Sequence, residues 1–457
     1  MKNRCFILLL MLCTSAAASA GPRIASWQTA SGAKVLFVRA SEIPMADIRV
    51  VFDAGSARDG AQWGLAGLTN AMLAEGANGL SGQTISERFD NIGARYGSGA
   101  LRDMAWVNLR SITETASLAA ALSTLAQVLQ SPDFPVSALE RERKRMLTGL
   151  KQREQDPGAK AEDAFYFNLY KDHPYGSPPQ GSERTLLVLK REDVLAFYRR
   201  YYSARNAIIA IVGDLDQDRA AAIAEQLASK LPAGTKPPSL PPAPALNQTL
   251  EVKVPFESTQ THVWLGAPGM ARGDPDTFPL YVGNHSLGGG GFVSRLYKTI
   301  RERRGLSYSV YSYFIPMRVT GPFIAALQTS NAQAGKALHL LVDTVQDYIE
   351  TGPSAAELDA SKKNIQGGFP LRIDSNSEIV EYLVIIGFYN LPLDYLETYV
   401  DRVKAVSLAA IRDAYQRRLH PANLVKIIVG PERAESASAL PAAPPPPLRH
   451  LHGGGTP

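Results

Sequence analysis

The sequence predicts an α+β protein built from two tandem homologous units, each an antiparallel-rich sheet with helices packed on it. A repeated segment carries this prediction. Residues 188–214 align without a gap on a segment that begins 217 residues later. Tyr198 then matches Tyr415, and Asn206 matches Asn423. A chain of 457 residues is long enough for two units of roughly 200 residues each.

The order of elements within the repeat also supports two units. In each copy an amphipathic stretch leads through a turn into a continuous β-branched run, which is typical of a helix followed by a buried strand. Between the copies, residues 231–247 contain six prolines, and this composition predicts an extended linker. We therefore place an N-terminal unit at 21–230 and a C-terminal unit at 248–435. A cleft between such units is a preferred place for a ligand.

Both ends of the chain predict segments outside these units. Residues 1–20 place two basic residues before an apolar run and end in Ala-Ser-Ala, which is typical of a secretory signal peptide cleaved after Ala20. A lipid-anchored alternative would use Cys13, but Leu12 before it is larger than the small residue that such processing requires. Residues 436–457 are rich in proline and glycine and predict a disordered tail. The sequence thus predicts a periplasmic or secreted protein without a membrane anchor.

Charge, hydropathy and cysteine content argue against nucleic-acid binding, a membrane span and thiol chemistry. The net charge is +5, and removal of Lys2 and Arg4 with the leader leaves +3. No basic stripe interleaved with aromatic residues is present, so nucleic acid is not an expected partner. After the leader, no apolar run reaches the roughly 20 residues that cross a membrane. The two cysteines, Cys5 and Cys13, both lie in the leader, so thiol chemistry is not expected in the mature chain.

Histidine and carboxylate spacing argues against a metal site. No two histidines stand four residues apart, the spacing at which two imidazoles project from one helical face. Asp214, Asp216 and Asp218 imitate a calcium loop, but Arg219 stands where the sharp turn requires glycine. A strand exit followed by a helix cap explains this acidic run better. We expect no metal in this chain.

A glycine run raises the question of nucleotide binding. Gly288, Gly289, Gly290 and Gly291 are followed by Phe-Val, whereas a phosphate-binding loop ends in Lys and Ser or Thr. Two interpretations remain for this run: a close backbone approach or a flexible hinge.

The segment that follows holds two candidate binding residues. Residues 297–304 predict a helix, Gly305 its C-terminal cap, and the alternating run SYSVYSYFI a strand. Arg301 near the helix end and Tyr308 at the strand start are then expected to converge across the turn. A guanidinium and a phenol both donate hydrogen bonds, which suit an acceptor such as a peptide carbonyl. A purely structural role for the two residues is the alternative.

The order of these segments resembles the pitrilysin and insulinase family of zinc metallopeptidases, in the branch that includes mitochondrial processing peptidase. The segments that carry the resemblance are VFDAGSARD, GLAGLTNAMLAEG, KDHPYGSPPQGS, YYSARNAIIAIVGD and LGGGGFVSRLYKTIRERRGLSYSV. The resemblance spans nearly the whole mature chain. It implies two similar α+β halves and paired subunits that enclose a chamber. It also implies that Arg301 and Tyr308 hold the substrate backbone and stabilise the oxyanion.

The zinc motif of the catalytic members is absent. Those members carry His-x-x-Glu-His after Gly-Leu-Ala. In this sequence Gly67 stands for the first histidine, Asn70 for the glutamate base and Ala71 for the second histidine. The third ligand, a distant glutamate, is expected near Thr148 and Gly149. Because catalytic zinc needs three protein ligands and a base beside its water, we expect no hydrolysis by this chain alone.

Loss of the zinc ligands with retention of Arg301 and Tyr308 resembles the non-catalytic subunit of a heterodimeric peptidase. The expected partner is a homologous subunit that bears His-x-x-Glu-His and supplies the zinc. The expected ligand is a peptide that adds as a strand to a sheet edge. Self-association is left open by the sequence. The alternative is a catalytically inert scaffold or peptide-binding protein of the same fold.

Overall fold

The computed structural model describes residues 21–432. The predicted leader and tail lie outside the described residues. The strands are β1 (Ala25–Gln28), β2 (Lys34–Arg39), β3 (Met45–Phe52), β4 (Gly76–Ala77), β5 (Leu80–Ser81), β6 (Arg95–Ala100), β7 (Ala105–Ile112), β8 (Ala207–Gly213), β9 (Leu250–Pro255), β10 (Gln260–Pro268), β11 (Ser309–Phe314), β12 (Pro322–Ser330) and β13 (Val425–Gly430). The α-helices are α1 (Leu65–Met72), α2 (Gly82–Asp90), α3 (Thr115–Gln130), α4 (Val136–Glu154), α5 (Pro157–Tyr170), α6 (Glu183–Val188), α7 (Arg191–Tyr201), α8 (Gln217–Ala228), α9 (Thr277–Asn284), α10 (Ala334–Thr351), α11 (Ala355–Gly368), α12 (Asn376–Phe388), α13 (Tyr395–Ala405) and α14 (Leu408–Arg418). None of these helices is both long enough and apolar enough to cross a membrane.

The two large sheets share one topology. The first sheet has the order β1-β2-β8-β3-β7-β6, and the second has the order β11-β12-β10-β13-β9. Read from the other edge, the second sheet repeats the last five strands of the first, so that β9 corresponds to β2 and β11 to β6. Each sheet contains one parallel pair of strands, β2 with β8 in the first sheet and β13 with β9 in the second. All other neighbouring strands are antiparallel. The predicted α+β fold with two tandem homologous units is therefore confirmed.

The repeated segment forms the same pair of elements in each half. Helix α7 leads into β8, and α14 leads into β13. Tyr198 and Tyr415, which the alignment matches, are both buried on these helices. Asn206 follows α7, and its side-chain amide donates hydrogen bonds to Tyr201 O (2.7 Å) and Asp53 O (3.2 Å). It thus fixes the turn between helix and strand.

Each half covers one face of the other half's sheet with a helix. Helix α12 from the second half packs on β2, β3 and β8. Its Gly387 lies so close that an added Cβ would come within 2.7 Å of Leu36 and Ile208. Helix α5 from the first half packs in turn on β10 and β13, where Phe165 contacts Trp264 with ring centroids 5.7 Å apart. The halves are thus interleaved rather than merely adjacent.

This interleaving explains why β2 is apolar on both faces. Val35 and Phe37 belong to the core of the first half, whereas Leu36 and Val38 belong to a core shared with the second half. Successive strand residues point to opposite faces, so an unbroken apolar run is what a doubly covered strand requires.

A buried carboxylate also joins the halves. Asp103, in the β6–β7 turn, accepts hydrogen bonds from the hydroxyl of Tyr175 and, on its other oxygen, from the hydroxyl of Tyr389 at 2.9 Å and the backbone N–H of Arg318 at 2.7 Å. Burial raises the pKa of Asp103, and these hydrogen bonds oppose that rise. Because Tyr389 and Arg318 belong to the second half, one side chain of the first half binds both units.

The predicted linker is without helix or strand, but it lies against the first half instead of forming a free tether. Leu231 and Leu240 are buried. The carbonyl of Pro238 accepts a hydrogen bond from the Arg58 guanidinium (2.8 Å), and the carbonyl of Pro241 lies 3.0 Å from His173 Nε2. Proline cannot donate, so these prolines contribute only carbonyl acceptors.

Candidate functional site

Helix α1 is held at its start by a buried carboxylate. Gly64 precedes the helix with φ of 91°, a left-handed conformation that favours glycine. Asp59 accepts hydrogen bonds from the backbone N–H groups of Gly64 (2.8 Å) and Ala66 (2.7 Å), which the first helical turn leaves unpaired. Burial raises the pKa of Asp59 to about 8. Leu68 and Met72 anchor the helix in the core of the first half.

The three positions that replace the zinc motif lie together on this helix. Gly67, Asn70 and Ala71 line one cavity of about 370 Å³. Asn70 is 2% exposed, and its amide donates hydrogen bonds to Trp106 O (3.2 Å) and to the hydroxyl of Tyr202 (3.3 Å). Asn70 therefore joins helix α1 to strand β7 and has a structural role.

Helix α4 closes this cavity, but not with the residue predicted from the sequence. Thr148 is exposed, does not line the cavity, and donates its hydroxyl to Lys144 O (2.9 Å). The α4 residues that line it are Glu142 and Arg145, which form an ion pair at 2.6 Å. Position 149, seven residues after Glu142, is the one that shares its helical face.

The acidic residues in this cavity are not arranged to hold a metal. Glu142 is paired with Arg145, and Glu75, which also lines the cavity, is paired with Arg141. Within residues 21–432 there is no group of three or more His, Cys, Asp or Glu side chains that could hold a metal ion. Catalytic zinc needs three protein ligands, whereas this cavity offers two carboxylates, each with an arginine partner.

The earlier alternatives for metal sites have ordinary structural explanations. Asp216 caps helix α8 by accepting the backbone N–H of Arg219 at 2.7 Å. The ring nitrogens of His285 lie 3.0 Å from the side-chain oxygens of Ser361 and Asn364. The contact of Asp216 matches the interpretation of the acidic run as a strand exit followed by a helix cap.

Arg301 and Tyr308 meet across the turn that separates a helix from β11. Tyr297–Glu302 forms a π-helix, and Gly305 has φ of 61°. The Arg301 guanidinium lies over the Tyr308 ring at 4.5 Å and over the Tyr297 ring at 4.9 Å. Cations favour this position over an aromatic face. The Arg301 guanidinium thus contacts two aromatic rings.

The donors of this pair are available to a ligand. Tyr308 is 52% exposed. Among the described residues, neither its hydroxyl nor the Arg301 guanidinium forms a hydrogen bond. The sequence reasoning missed Tyr297, although its spacing of four residues from Arg301 places the two side chains on one helical face. The phenyl ring of Phe292, 72% exposed, contacts Tyr297 and extends the surface.

Three of the four glycines in the run leave no room for an added Cβ atom. A Cβ on Gly288 would lie 2.3 Å from Ser312 Oγ, and a Cβ on Gly290 would lie 2.6 Å from His285 O. Gly289 is similarly close to Asn284 Nδ2, at 2.8 Å. Gly291 differs, since it has φ of +60° and open space around it. Close approach therefore accounts for the first three glycines.

Within residues 21–432, both large sheets end on this side in an edge strand with no further strand paired to it. Strand β6, the last strand of the first sheet, contributes Ser98, Gly99 and Ala100 to the α1 cavity. Strand β11, its counterpart in the second sheet, begins directly after Tyr308. An unpaired edge offers backbone donors and acceptors to an added strand.

Comparison with known proteins identifies the family. Residues 34–182 match the description "Insulinase (Peptidase family M16)", and residues 189–365 match "Peptidase M16 inactive domain". The crystal structure of a peptidase M16 inactive domain from Pseudomonas fluorescens is 38% identical and covers 90% of this chain and 99% of its own, with a TM-score of 0.88.

One further relative and one further solved structure are similar to this chain. The "Non-peptidase homolog YmxG" of Helicobacter pylori is 26% identical over 372 residues, 81% of this chain and 85% of that protein. The periplasmic protease PqqL of Escherichia coli shares the fold with a TM-score of 0.76 at 18% identity, over 94% of this chain and 49% of that one. With its zinc-motif positions occupied by Gly67, Asn70 and Ala71, the chain belongs to the M16 insulinase family as an inactive homologue.

Proposed function

We propose that this protein is the non-catalytic, substrate-binding subunit of a heterodimeric zinc peptidase that degrades peptides in a closed chamber. It is inactive alone and contributes to metalloendopeptidase activity when paired with a homologous subunit. That partner bears His-x-x-Glu-His and carries the zinc, so this chain needs no cofactor of its own.

The observation that carries the proposal is the combination of a lost metal site with an unengaged donor pair. Arg301 and Tyr308 have no hydrogen-bond partner among the described residues, and Tyr308 is half exposed. Exposed cation–aromatic stacks add little to stability, so a stabilising role explains this surface poorly. Donors held in place before the reaction are suited to a peptide carbonyl that gains negative charge.

The sheet edge supports peptide binding in particular. A peptide added to β6 would run past Ser98, Gly99 and Ala100, next to the cavity on α1. Two of these three residues have a very small side chain or none, which leaves the backbone accessible. A peptide added as a strand is recognised mainly through its backbone and less through its side chains. This mode of binding suits the degradation of peptides with varied sequences.

The relatives support the non-catalytic part of this proposal. The Helicobacter pylori relative is named a non-peptidase homolog. A periplasmic or secreted location follows from the leader predicted at residues 1–20, and the fold relative from Escherichia coli is a periplasmic protease.

The test is cleavage of a fluorogenic peptide by this protein alone, by a His-x-x-Glu-His homologue from the same genome alone, and by the mixture. We expect activity only in the mixture. Arg301→Ala should lower kcat of the mixture about 100-fold, the effect of removing one oxyanion donor. Arg303→Ala, an exposed arginine two residues away, is the matched control and should leave kcat unchanged.

The alternative function is an inert scaffold or peptide-binding protein of the same fold. It predicts that the homologue has full activity by itself and that Arg301→Ala changes nothing in the mixture. A pull-down of the two subunits separates a scaffold, which would still associate, from a wrongly chosen partner, which would not.

A further inference from the structure

A second cavity, of about 320 Å³, lies between the C-terminal part of α4, helix α5 and the loop before α6. Its lining includes the aromatic side chains of Trp63, Tyr166 and Phe167. Phe167 is 59% exposed. The cavity does not share a residue with the α1 cavity.

One side chain in this cavity lacks the partner that its charge requires. Arg102 is 9% exposed and lines the cavity, and its Nε is buried without a hydrogen-bond partner. Its guanidinium stacks on Tyr166, 3.6 Å from the ring centroid, and forms no hydrogen bond among the described residues. Burial lowers the pKa of Arg102, yet arginine does not release its proton in proteins.

The nearby carboxylates are already engaged by another arginine. Arg153 donates hydrogen bonds at 2.8 Å to both Glu162 and Asp163. Because these carboxylates are bound, they attract Arg102 only at a distance. A buried cation without a paired anion destabilises the folded protein by several kcal/mol, and a ligand that pairs with the cation would offset this cost.

The charges around the cavity limit what that ligand can be. Three basic residues, Arg102, Arg153 and Lys160, are balanced by the acidic residues Glu154, Asp163 and Glu183. A balanced lining does not favour a polyanion such as nucleic acid or a polyphosphate. It suits a molecule with a single carboxylate and an apolar body that contacts the aromatic wall.

We propose that this cavity binds the carboxylate of a peptide, with Arg102 as the residue that pairs with it. The proposal rests on the proposed function only in taking the ligand to be a peptide. The carboxylate belongs either to the C-terminus or to an acidic side chain. A bidentate pair with Arg102 would use donors that the fold leaves unbound.

Binding is measured on the full chain without any partner subunit, by quenching of Trp63 fluorescence. The probes are N-acetyl-Ala-Phe-Ala as the free acid and as its amide, and N-acetyl-Ala-Glu-Ala amide with its glutamine counterpart. Tighter binding of the free acid assigns the site to C-termini, and tighter binding of the glutamate amide assigns it to acidic side chains. Equal binding within both pairs would overturn the proposal.

Variants decide whether Arg102 is responsible. Arg102→Met keeps the aliphatic stem and should weaken binding of the preferred carboxylate probe at least tenfold, while the amide probe is unaffected. Arg199→Met, an exposed arginine on α7, should bind as the unaltered protein does. Trp63→Phe should abolish the fluorescence change, with calorimetry still reporting binding. Unchanged affinity in Arg102→Met would refute the assignment even if Arg301→Ala impaired the mixture, so the two proposals fail separately.

Discussion

Asp103 provides the sharpest test of how the halves are joined. It accepts hydrogen bonds from Tyr175, Tyr389 and the backbone of Arg318, and two of these partners belong to the second half. Each hydrogen bond to a charged group contributes about 1.5–3 kcal/mol, and burial of the carboxylate offsets part of that sum. Asp103→Ala leaves two hydroxyls and one backbone N–H without their acceptor, so we expect the free energy of unfolding to fall by about 3–5 kcal/mol.

The assay is equilibrium urea unfolding followed by far-ultraviolet circular dichroism. Asp103→Asn keeps the volume and one oxygen acceptor, so its loss should be smaller, about 1–2 kcal/mol. Asp172→Ala removes an exposed carboxylate three residues before Tyr175 and should stay within about 0.5 kcal/mol of the unaltered protein. If Asp103→Ala is no more costly than Asp172→Ala, the carboxylate does not join the halves and the reasoning is refuted.

Three further outcomes are expected. The pKa of Asp59 rises from 3.8 to about 8 on burial, so the native state holds the extra proton and its stability should fall as pH rises through that window. Asp59→Asn should therefore reduce the difference in Tm between pH 5 and pH 9, and an unchanged difference would contradict the assignment. Gly288→Ala should lower the free energy of unfolding by about 1–3 kcal/mol, because the added methyl group is overpacked against Ser312. Gly291→Ala should lower it by only about 1 kcal/mol, because Gly291 has a left-handed backbone. Equal effects of the two substitutions would argue for a hinge. Chelation with EDTA should leave Tm unchanged, and a fall in Tm would reveal a bound metal.

The duplicated fold was predictable because its signal is local. Helix, turn and strand follow one another directly in both copies, and the aligned Tyr198 and Tyr415 occupy the same buried place. The approach of Arg301 to Tyr308 was predictable for the same reason, since one turn separates them. Their role toward a substrate remains a prediction.

Other features depend on long-range contacts that periodicity does not encode. The position expected to replace the third zinc ligand failed for a different reason. The family resemblance placed it near Thr148 and Gly149, and because each residue of a helix turns by about 100°, Thr148 lies off the face that lines the cavity. The burial of Arg102 was not visible in any local pattern, because its neighbours Tyr166 and Arg153 come from distant segments.

The interleaved helices have a consequence for the order of events during synthesis. Strand β8 completes the first sheet at Gly213, but the helix that covers one of its faces ends at Phe388, 175 residues later. At a synthesis rate of about 5–20 residues per second, that face of the sheet stays uncovered for roughly 9–35 s until α12 has been synthesised. When the first half emerges from the ribosome, it therefore cannot complete its fold without the second half. The nascent chain carries an apolar sheet face that a chaperone must shield, or that must stay unfolded, until the second half arrives.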